Sequence, residues 1–310
     1  MPAVRGGRTI AEFFVGESVM GSKSLLDRWR RRYWRPSSDT QRYNGMQPFV
    51  VVTGGSRGIG LEFAREFSAK GHPVLMIARE PAELEKAAAG IRREGGPEIL
   101  TLALDLSGPL AAQRIETLLA GRSAYADILV NNAGIGLGGP FASQTADELQ
   151  QLIGLNIAVL TQLSRYFLPG MLARGAGGIL NVGSLAGYVP GPYQAAYYAS
   201  KAYVISLTEA LAREVAGLGV RIAMINPGAV ATSFHAAMGT EQAYYLKVFG
   251  WISPVHVARV GYRGFRQGRT LIVPGLFNYL MLGLLRIIPH PVSLRIMALL
   301  LHRRGTRGTR

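Results

Sequence analysis

At 310 residues, with 48% hydrophobic and 17% charged side chains, the chain has the length and composition of a packed globular protein and not of a disordered one. It has no cysteine and its five histidines are scattered, which excludes disulfides and thiolate nucleophiles and offers no metal-ligand spacing. The net charge of +15 sits at the ends: residues 1–47 carry 9 Lys/Arg against 4 Asp/Glu, residues 48–241 carry 14 against 15, and residues 242–310 carry 11 against none. Basic ends interleaved with apolar residues suit an anionic partner, either membrane lipid or nucleic acid.

Residues 1–47 read as a basic N-terminal extension and not as core. An Arg-rich stretch runs from Trp29 to Arg35, with no apolar segment of signal-peptide type before it. A short helix from Ser22 to Tyr33 would gather Leu25, Leu26, Trp29 and Tyr33 on one side. A flexible tail and a start at Met46 are the alternatives.

From Pro48 the pattern becomes regular. Apolar, strand-like runs fall at Phe49–Thr53, Pro73–Ala78, Ile99–Leu104, Ile128–Asn131, Gly178–Val182, Val220–Ile225 and Thr270–Val273. Helical patterns separate them, over Ile59–Lys70, Pro81–Glu94, Leu110–Ala120, Ala146–Ala173, Ala195–Gly217 and Pro254–Gly268. Continuously apolar strands alternating with helices predict an α/β fold. Right-handed crossovers make it a Rossmann-like, doubly wound parallel sheet of about seven strands with helices on both faces. The domain so formed spans 48–275. Residues 276–310 form an apolar and basic C-terminal helical extension.

The first strand runs into Thr53, Gly54, Gly55, Ser56, Arg57, Gly58, Ile59 and Gly60, and a helix follows. Glycines let the backbone turn sharply and approach a pyrophosphate, and a helix N-terminus offers it unpaired N–H groups. Domains of this kind that take NAD usually place an acid at the end of the second strand, for the ribose 2′-hydroxyl. Ala78 and Arg79 stand there instead. Arg57 and Arg79 suit a 2′-phosphate by charge and bidentate geometry, so NADP(H) is the expected cofactor.

Asp105 follows the third strand, where its carboxylate can accept from an adenine amino group; a helix N-cap, a job for which Ser107 competes, is the alternative. Asn131, Asn132, Ala133 and Gly134 follow the fourth strand. The amides can brace the central strands, and Gly134 leaves room for a cofactor. Pro227 and Gly228 close the sixth strand, with Thr232 just beyond, within reach of a nicotinamide amide. Leu106 and Val230, adjoining these positions, complete the expected cofactor contacts.

Ser184 follows the fifth strand after Gly183. Tyr197 and Lys201 are four apart on an expected helix and share one face. A lysine beside a phenol favours the phenolate and lowers its pKa from the ordinary ~10, so that it can give or take a proton near neutral pH. Alone, such a pair is more often an incidental feature of a helix. The ordered set of Thr53–Gly60, Asp105, Asn131–Gly134, Asn156, Ser184, Tyr197, Lys201 and Pro227–Gly228 is not.

From Pro48 to Val273 the chain resembles the short-chain dehydrogenase/reductase family. The resemblance implies that Tyr197 is the catalytic acid/base. It implies that Lys201 lowers the Tyr197 pKa and binds the nicotinamide ribose. It further implies that Ser184 hydrogen-bonds the substrate oxygen and that Asn156 positions a water in a proton relay. Tyr198 is left to packing or substrate contact. Family members commonly pair through their long helices, so a homodimer or homotetramer is expected.

The expected reaction is hydride transfer between NADP(H) and the carbonyl or hydroxyl of a lipophilic substrate: a fatty-acyl, steroid-like or other ketone or aldehyde. The stretch from Ala231 to Trp251, with Phe234, Met238, Tyr244, Tyr245, Leu246, Val248 and Phe249, lies where the family usually keeps its substrate loop. Its apolar and aromatic character suits such a substrate. Beyond Gly275, two apolar runs end at Ile288 and Leu301, interrupted by Pro289 and Pro291, and neither reaches the ~20 residues of a spanning helix.

With Arg286, Arg295, Arg303 and Arg304, these runs suit helices lying in a membrane interface. Packing over the active site or a neighbouring subunit is the alternative. The expected location is cytoplasmic and peripheral to a membrane. No nucleic-acid partner is expected, because only Trp29–Arg35 interleaves basic and aromatic residues. A catalytically idle Rossmann scaffold at a membrane surface is the competing function, against which the intact Ser184, Tyr197 and Lys201 argue.

Overall fold

The computed structural model describes residues 40–240 and 250–301. The readings at Ser22–Tyr33, Trp29–Arg35, Tyr244–Phe249, Arg303 and Arg304 lie outside them, and the side chain of Arg286 is likewise not described.

Seven strands form one parallel sheet: β1 Gln47–Thr53, β2 Val74–Ala78, β3 Ile99–Ala103, β4 Ala124–Asn131, β5 Gly178–Val182, β6 Arg221–Ile225 and β7 Leu271–Ile272. Their order is β3-β2-β1-β4-β5-β6-β7. The chain winds outward from β1 in one direction and from β4 in the other. The switch point between β1 and β4 is where such sheets leave a crevice at the carboxyl ends of the strands.

Helices cross between strands: α1 Gly58–Ala69, α2 Pro81–Arg93, α3 Ala111–Ala120, α4 Ala146–Ile153, α5 Leu160–Arg174, α6 Ala195–Glu214, the single turn α7 Phe234–Ala237, and α8 Pro254–Arg266. Two more, α9 Leu276–Ile287 and α10 His290–Leu301, follow the sheet. Among the described residues no helix is long and apolar enough to cross a membrane.

The sheet interior explains the continuous apolar runs. Val50, Val52, Met76, Val130, Leu180 and Ile225 are buried and pack with Phe63, Phe67, Val257 and Phe265 of α1 and α8. Each fully buried side chain of this size contributes roughly 1.5–3 kcal/mol. A chain of buried polar contacts ties the middle of the sheet to its helices. Asn131 Nδ2 donates to Asn181 Oδ1 (2.9 Å) and to Ser164 Oγ (3.0 Å), and Asn181 Nδ2 donates to Thr208 Oγ1 (2.9 Å). Leaving such groups unpaired when buried would cost ~1–3 kcal/mol apiece, so the network also fixes how α5 and α6 seat on β4 and β5.

Two elements differ from expectation. β4 begins at Ala124, well before the expected Ile128, because Tyr125 and Asp127 interrupt the apolar run. Pairing with β1 steps from Ala126 to Ile128 and leaves Asp127 at a bulge. The single helix expected over 146–173 is divided. Between α4 and α5, Gly154–Val159 winds as a π-helix. Such turns carry one residue more than an α-helical turn and concentrate at functional sites. Asn156 lies inside this one.

Candidate active site

The loops leaving β1 to β6 converge at one end of the sheet and line a cavity of about 940 Å³. One end of that cavity is built mostly of backbone. Gly54 has φ +65°, and a Cβ there would stand 2.8 Å from Asn132 Nδ2. A Cβ on Gly60 would stand 2.1 Å from the Gly54 carbonyl oxygen, so the start of α1 can lie against the loop only without a side chain.

Asn132 Nδ2 donates to the carbonyls of Thr53 (2.9 Å) and Gly54 (3.1 Å), and Thr53 Oγ1 accepts from Asn132 N and Ala133 N. Thr53 is therefore a buried staple between β1 and β4 and does not line the cavity. Gly60 does not line it either. The first turn of α1 receives no side-chain cap from Arg57, which leaves N–H groups facing that end.

Gly54, Ser56, Arg57, Gly58, Ile59, Arg79, Asp105, Leu106, Asn132, Ala133 and Gly134 line this part, and Pro227, Gly228, Val230 and Thr232 line the wall across from it. Thr232 Cγ2 would be 3.2 Å from a Cβ on Gly58, so these distant stretches meet. Asp105 caps no helix: α3 starts at Ala111, and Asp105 Oδ1 accepts from Ser107 N (2.9 Å) and Ser107 Oγ (2.7 Å). Those bonds, with a smaller contribution from Arg79, hold its carboxyl below the usual range. The uncapped turn, the glycine cradle and the two arginines form a donor set that fits a dinucleotide phosphate chain.

Farther in, Ser184, Tyr197 and Lys201 line the same cavity. Ser184 leaves β5 in extended conformation and caps a 3₁₀ turn, its Oγ accepting from Ala186 N at 3.1 Å. Its own proton stays available to donate. Tyr197 lies in the first turn of α6 and Lys201 one turn on, with Lys201 Nζ 5.8 Å from the phenol ring centroid. Nζ donates to Val182 O at 2.9 Å.

Desolvation dominates both groups. Burial pushes the Tyr197 phenol up to about 12, against a smaller lowering from its hydrogen bond to Ser184, and burial pushes Lys201 down to about 8. Lys201 contributes no lowering of the phenol here, its ammonium being turned onto the Val182 carbonyl and itself desolvated. Asn156 makes three side-chain hydrogen bonds. Its side chain is bound to the backbone of Ile135 through Oδ1 (2.9 Å) and Nδ2 (2.8 Å), and to Ser200 Oγ (3.0 Å). Through these bonds it fastens the loop after β4.

Against this geometry, the family model for short chain dehydrogenases matches residues 48–243. The chain belongs to the short-chain dehydrogenase family. It is 33% identical over 181 residues to a ketoacyl reductase, HetN, of Nostoc sp., covering 58% of this chain and 63% of that one. It is 32% identical over 188 residues to a very-long-chain 3-oxoacyl-CoA reductase of Rattus norvegicus, covering 59% and 60%. The match therefore spans less than two thirds of the length of these relatives. Among solved structures, a short-chain dehydrogenase from Sphingobium yanoikuyae in complex with NADPH superposes with a TM-score of 0.70 at 28% identity, over 84% of this chain and 98% of that one.

In this short-chain dehydrogenase Glu148, Gln151 and Gln194 also line the cavity, and apolar wall comes from the chain after β6 and from the C-terminal helices. Phe234 and Met238 reach in from the loop after β6, Phe234 with its ring 5.6 Å from that of Tyr197. Beside them His235 is desolvated, which lowers its pKa, and it stands edge-on to Trp251 at 5.1 Å. The roof comes from α9 and α10, with Asn278, Met281, Met297 and Leu300 among the lining residues. Leu301 and Met297 pack with Val189, Tyr197 and Tyr198, so the inner side of the C-terminal pair covers the site. Tyr198 both packs there and lines the cavity.

Sequence reasoning missed Asn278 and Ser293. Each is a buried polar residue within a mostly apolar helix, and that interruption was the available signal. Asn278 Nδ2 donates to Pro274 O at 2.8 Å, and its Oδ1 lies 2.9 Å from where a Cβ on Gly228 would be.

Proposed function

We propose that the protein is an NADP(H)-dependent oxidoreductase acting on the carbonyl or hydroxyl of a lipophilic substrate, with Tyr197 as proton donor and acceptor. The observation that carries this reading is the shared cavity: the glycine loop with Arg57 and Arg79 at one end, Ser184, Tyr197 and Lys201 in the middle, and apolar side chains beyond. When bound, a nicotinamide dinucleotide supplies or accepts the hydride. Arg57 and Arg79 at the cavity rim bind the 2′-phosphate, and the uncapped start of α1 binds the pyrophosphate. Glu80 and Glu83 also line the cavity and their carboxylates oppose a 2′-phosphate, so the phosphate form depends on Arg57 and Arg79 outweighing them.

Tyr197, a phenol protonated at neutral pH, donates its proton to the carbonyl oxygen as negative charge builds there. Ser184 donates a hydrogen bond to the same oxygen. Lys201 gives one of its three N–H bonds to Val182 and directs the others to ribose hydroxyls. Asn156 holds the loop at Ile135 against the nicotinamide side of the cavity. A phenol that starts protonated suits reduction of a carbonyl.

The apolar part of the lining supports a fatty-acyl, steroid-like or other lipophilic ketone or aldehyde, and the likeness to a ketoacyl reductase and a 3-oxoacyl-CoA reductase supports an acyl-chain carbonyl. We further propose a homodimer or homotetramer paired through α5 and α6, working in the cytoplasm at a membrane surface. The test is NADPH consumption against a panel of lipophilic ketones and aldehydes. Turnover that exceeds NADH-driven turnover and vanishes in Tyr197→Phe supports the reading; no turnover on any panel member sinks it.

A further inference from the structure

The roof pair faces two ways. Met281 of α9 and Met297 of α10 line the cavity. On the outside Leu276, Leu280, Ile287 and Leu299 are 76%, 62%, 81% and 76% exposed. On α9 these outer positions recur at helical spacing and make an apolar row that no described element covers. Leu284 and Ile296 do both: they line the cavity and are also 47% and 41% exposed. These two side chains therefore border both the cavity and the outside.

Charge selects the occupant of the outer row. Residues 276–310 contain six arginines and no acid, and Arg295 lies exposed on α10 itself. Two copies of such a surface would repel, whereas anionic headgroups attract each of them. Helices of 12 residues are ~18 Å long, enough to lie in a bilayer interface and too short to span it.

We propose that α9 and α10 lie in the interface of an anionic bilayer and that the cavity edge carrying Leu284 and Ile296 is a portal through which substrate dissolved in the lipid enters the cavity. This rests on the proposed oxidoreductase reading only for the identity of the cargo. A lipophilic ketone then reaches Tyr197 without crossing water, and the apolar outer row is the part of the enzyme that makes this transfer direct.

The test uses the full chain and the double variant Leu280→Asp/Leu299→Asp, whose side chains do not line the cavity. Flotation with vesicles of equimolar phosphatidylcholine and phosphatidylglycerol reads binding. Turnover is compared on a long-chain ketone dissolved in those vesicles and on a short water-soluble ketone. Transfer of a fluorescent fatty ketone from vesicle to protein reads access without turnover. The variant is expected to lose vesicle binding, probe transfer and bilayer-borne turnover by about tenfold or more, and to keep its rate on the short ketone.

Absence of wild-type binding overturns the proposal, and so does equal loss on both ketones. A wild-type particle that halves in size on substitution overturns it by showing a second copy on the row. Failure of the redox reading looks different: neither ketone is turned over, while binding and probe transfer still separate the two proteins.

Discussion

The floor and the roof of the cavity differ in how they are held. The floor is made of strand ends whose side chains are buried on both faces of the sheet, with Thr53, Gly54 and Asn132 locked by mutual hydrogen bonds. The roof is two short helices that bury only a few residues, Leu282 and Leu301 among them, and leave apolar side chains outside. Positions that must hold a reacting atom to a fraction of an ångström belong on the floor. Positions that must admit differing substrates belong on the element with fewer buried contacts.

Substitutions can break or sharpen this contrast. The largest effect is expected at the floor's proton donor: Tyr197→Phe should cut turnover by ~10²–10⁴-fold while thermal melts stay close to wild type. A near-normal rate would put the proton donor elsewhere.

Next comes the stability contrast. Phe63→Ala, under the sheet, should cost ~3–5 kcal/mol by denaturant titration, whereas Leu301→Ala should cost under about 2 kcal/mol and act mainly on KM for lipophilic substrates. Equal costs would mean that the roof is as integral to folding as the floor. Smaller again, Arg57→Ala with Arg79→Ala should lower the NADPH-over-NADH preference in kcat/KM by about tenfold or more. An unchanged preference would remove the arginines from 2′-phosphate recognition.

The smallest effect is a pH dependence. Between about 8 and its ordinary 10.5, Lys201 is deprotonated when folded and protonated when unfolded, so its contribution to stability rises with pH across that window. Tyr197 acts oppositely: above its ordinary 10.0 and up to about 12 the folded chain keeps a proton that the unfolded chain has lost, and stability falls. Thermal melts of Lys201→Met against wild type should therefore lose the rise and keep the fall. A rise that persists in the variant would trace it to another group.

Most of the sheet was legible because a strand buried on both faces must be continuously apolar, as β5 shows throughout. β4 was half hidden because Asp127 sits at a bulge, where a carboxyl can stand beside the Arg174 that lowers its charge cost. The active-site positions were legible as types tied to strand ends, Arg79 after β2 and Ser184 after β5. Their couplings were not. That Lys201 Nζ would find the Val182 carbonyl and that Asn156 would find Ile135 depends on packing between segments far apart in sequence, which no local pattern encodes. The same holds for α9 and α10: packing over the active site was one reading of their composition, but which residues would meet Tyr197 and Tyr198 was not legible there.

The π-helical segment from Gly154 to Val159 has one more consequence. Its extra residue works as a fixed insertion, a phase shift between α4 and α5. In an α-helix each residue turns the chain by about 100°, so excising one residue upstream of Asn156 would restore ordinary winding while rotating one half of the helix against the other. Asn156 and the face of α5 that carries Ser164 could not then both keep their partners. The irregular turn acts as a phase lock between the loop at Ile135 and the centre of the sheet.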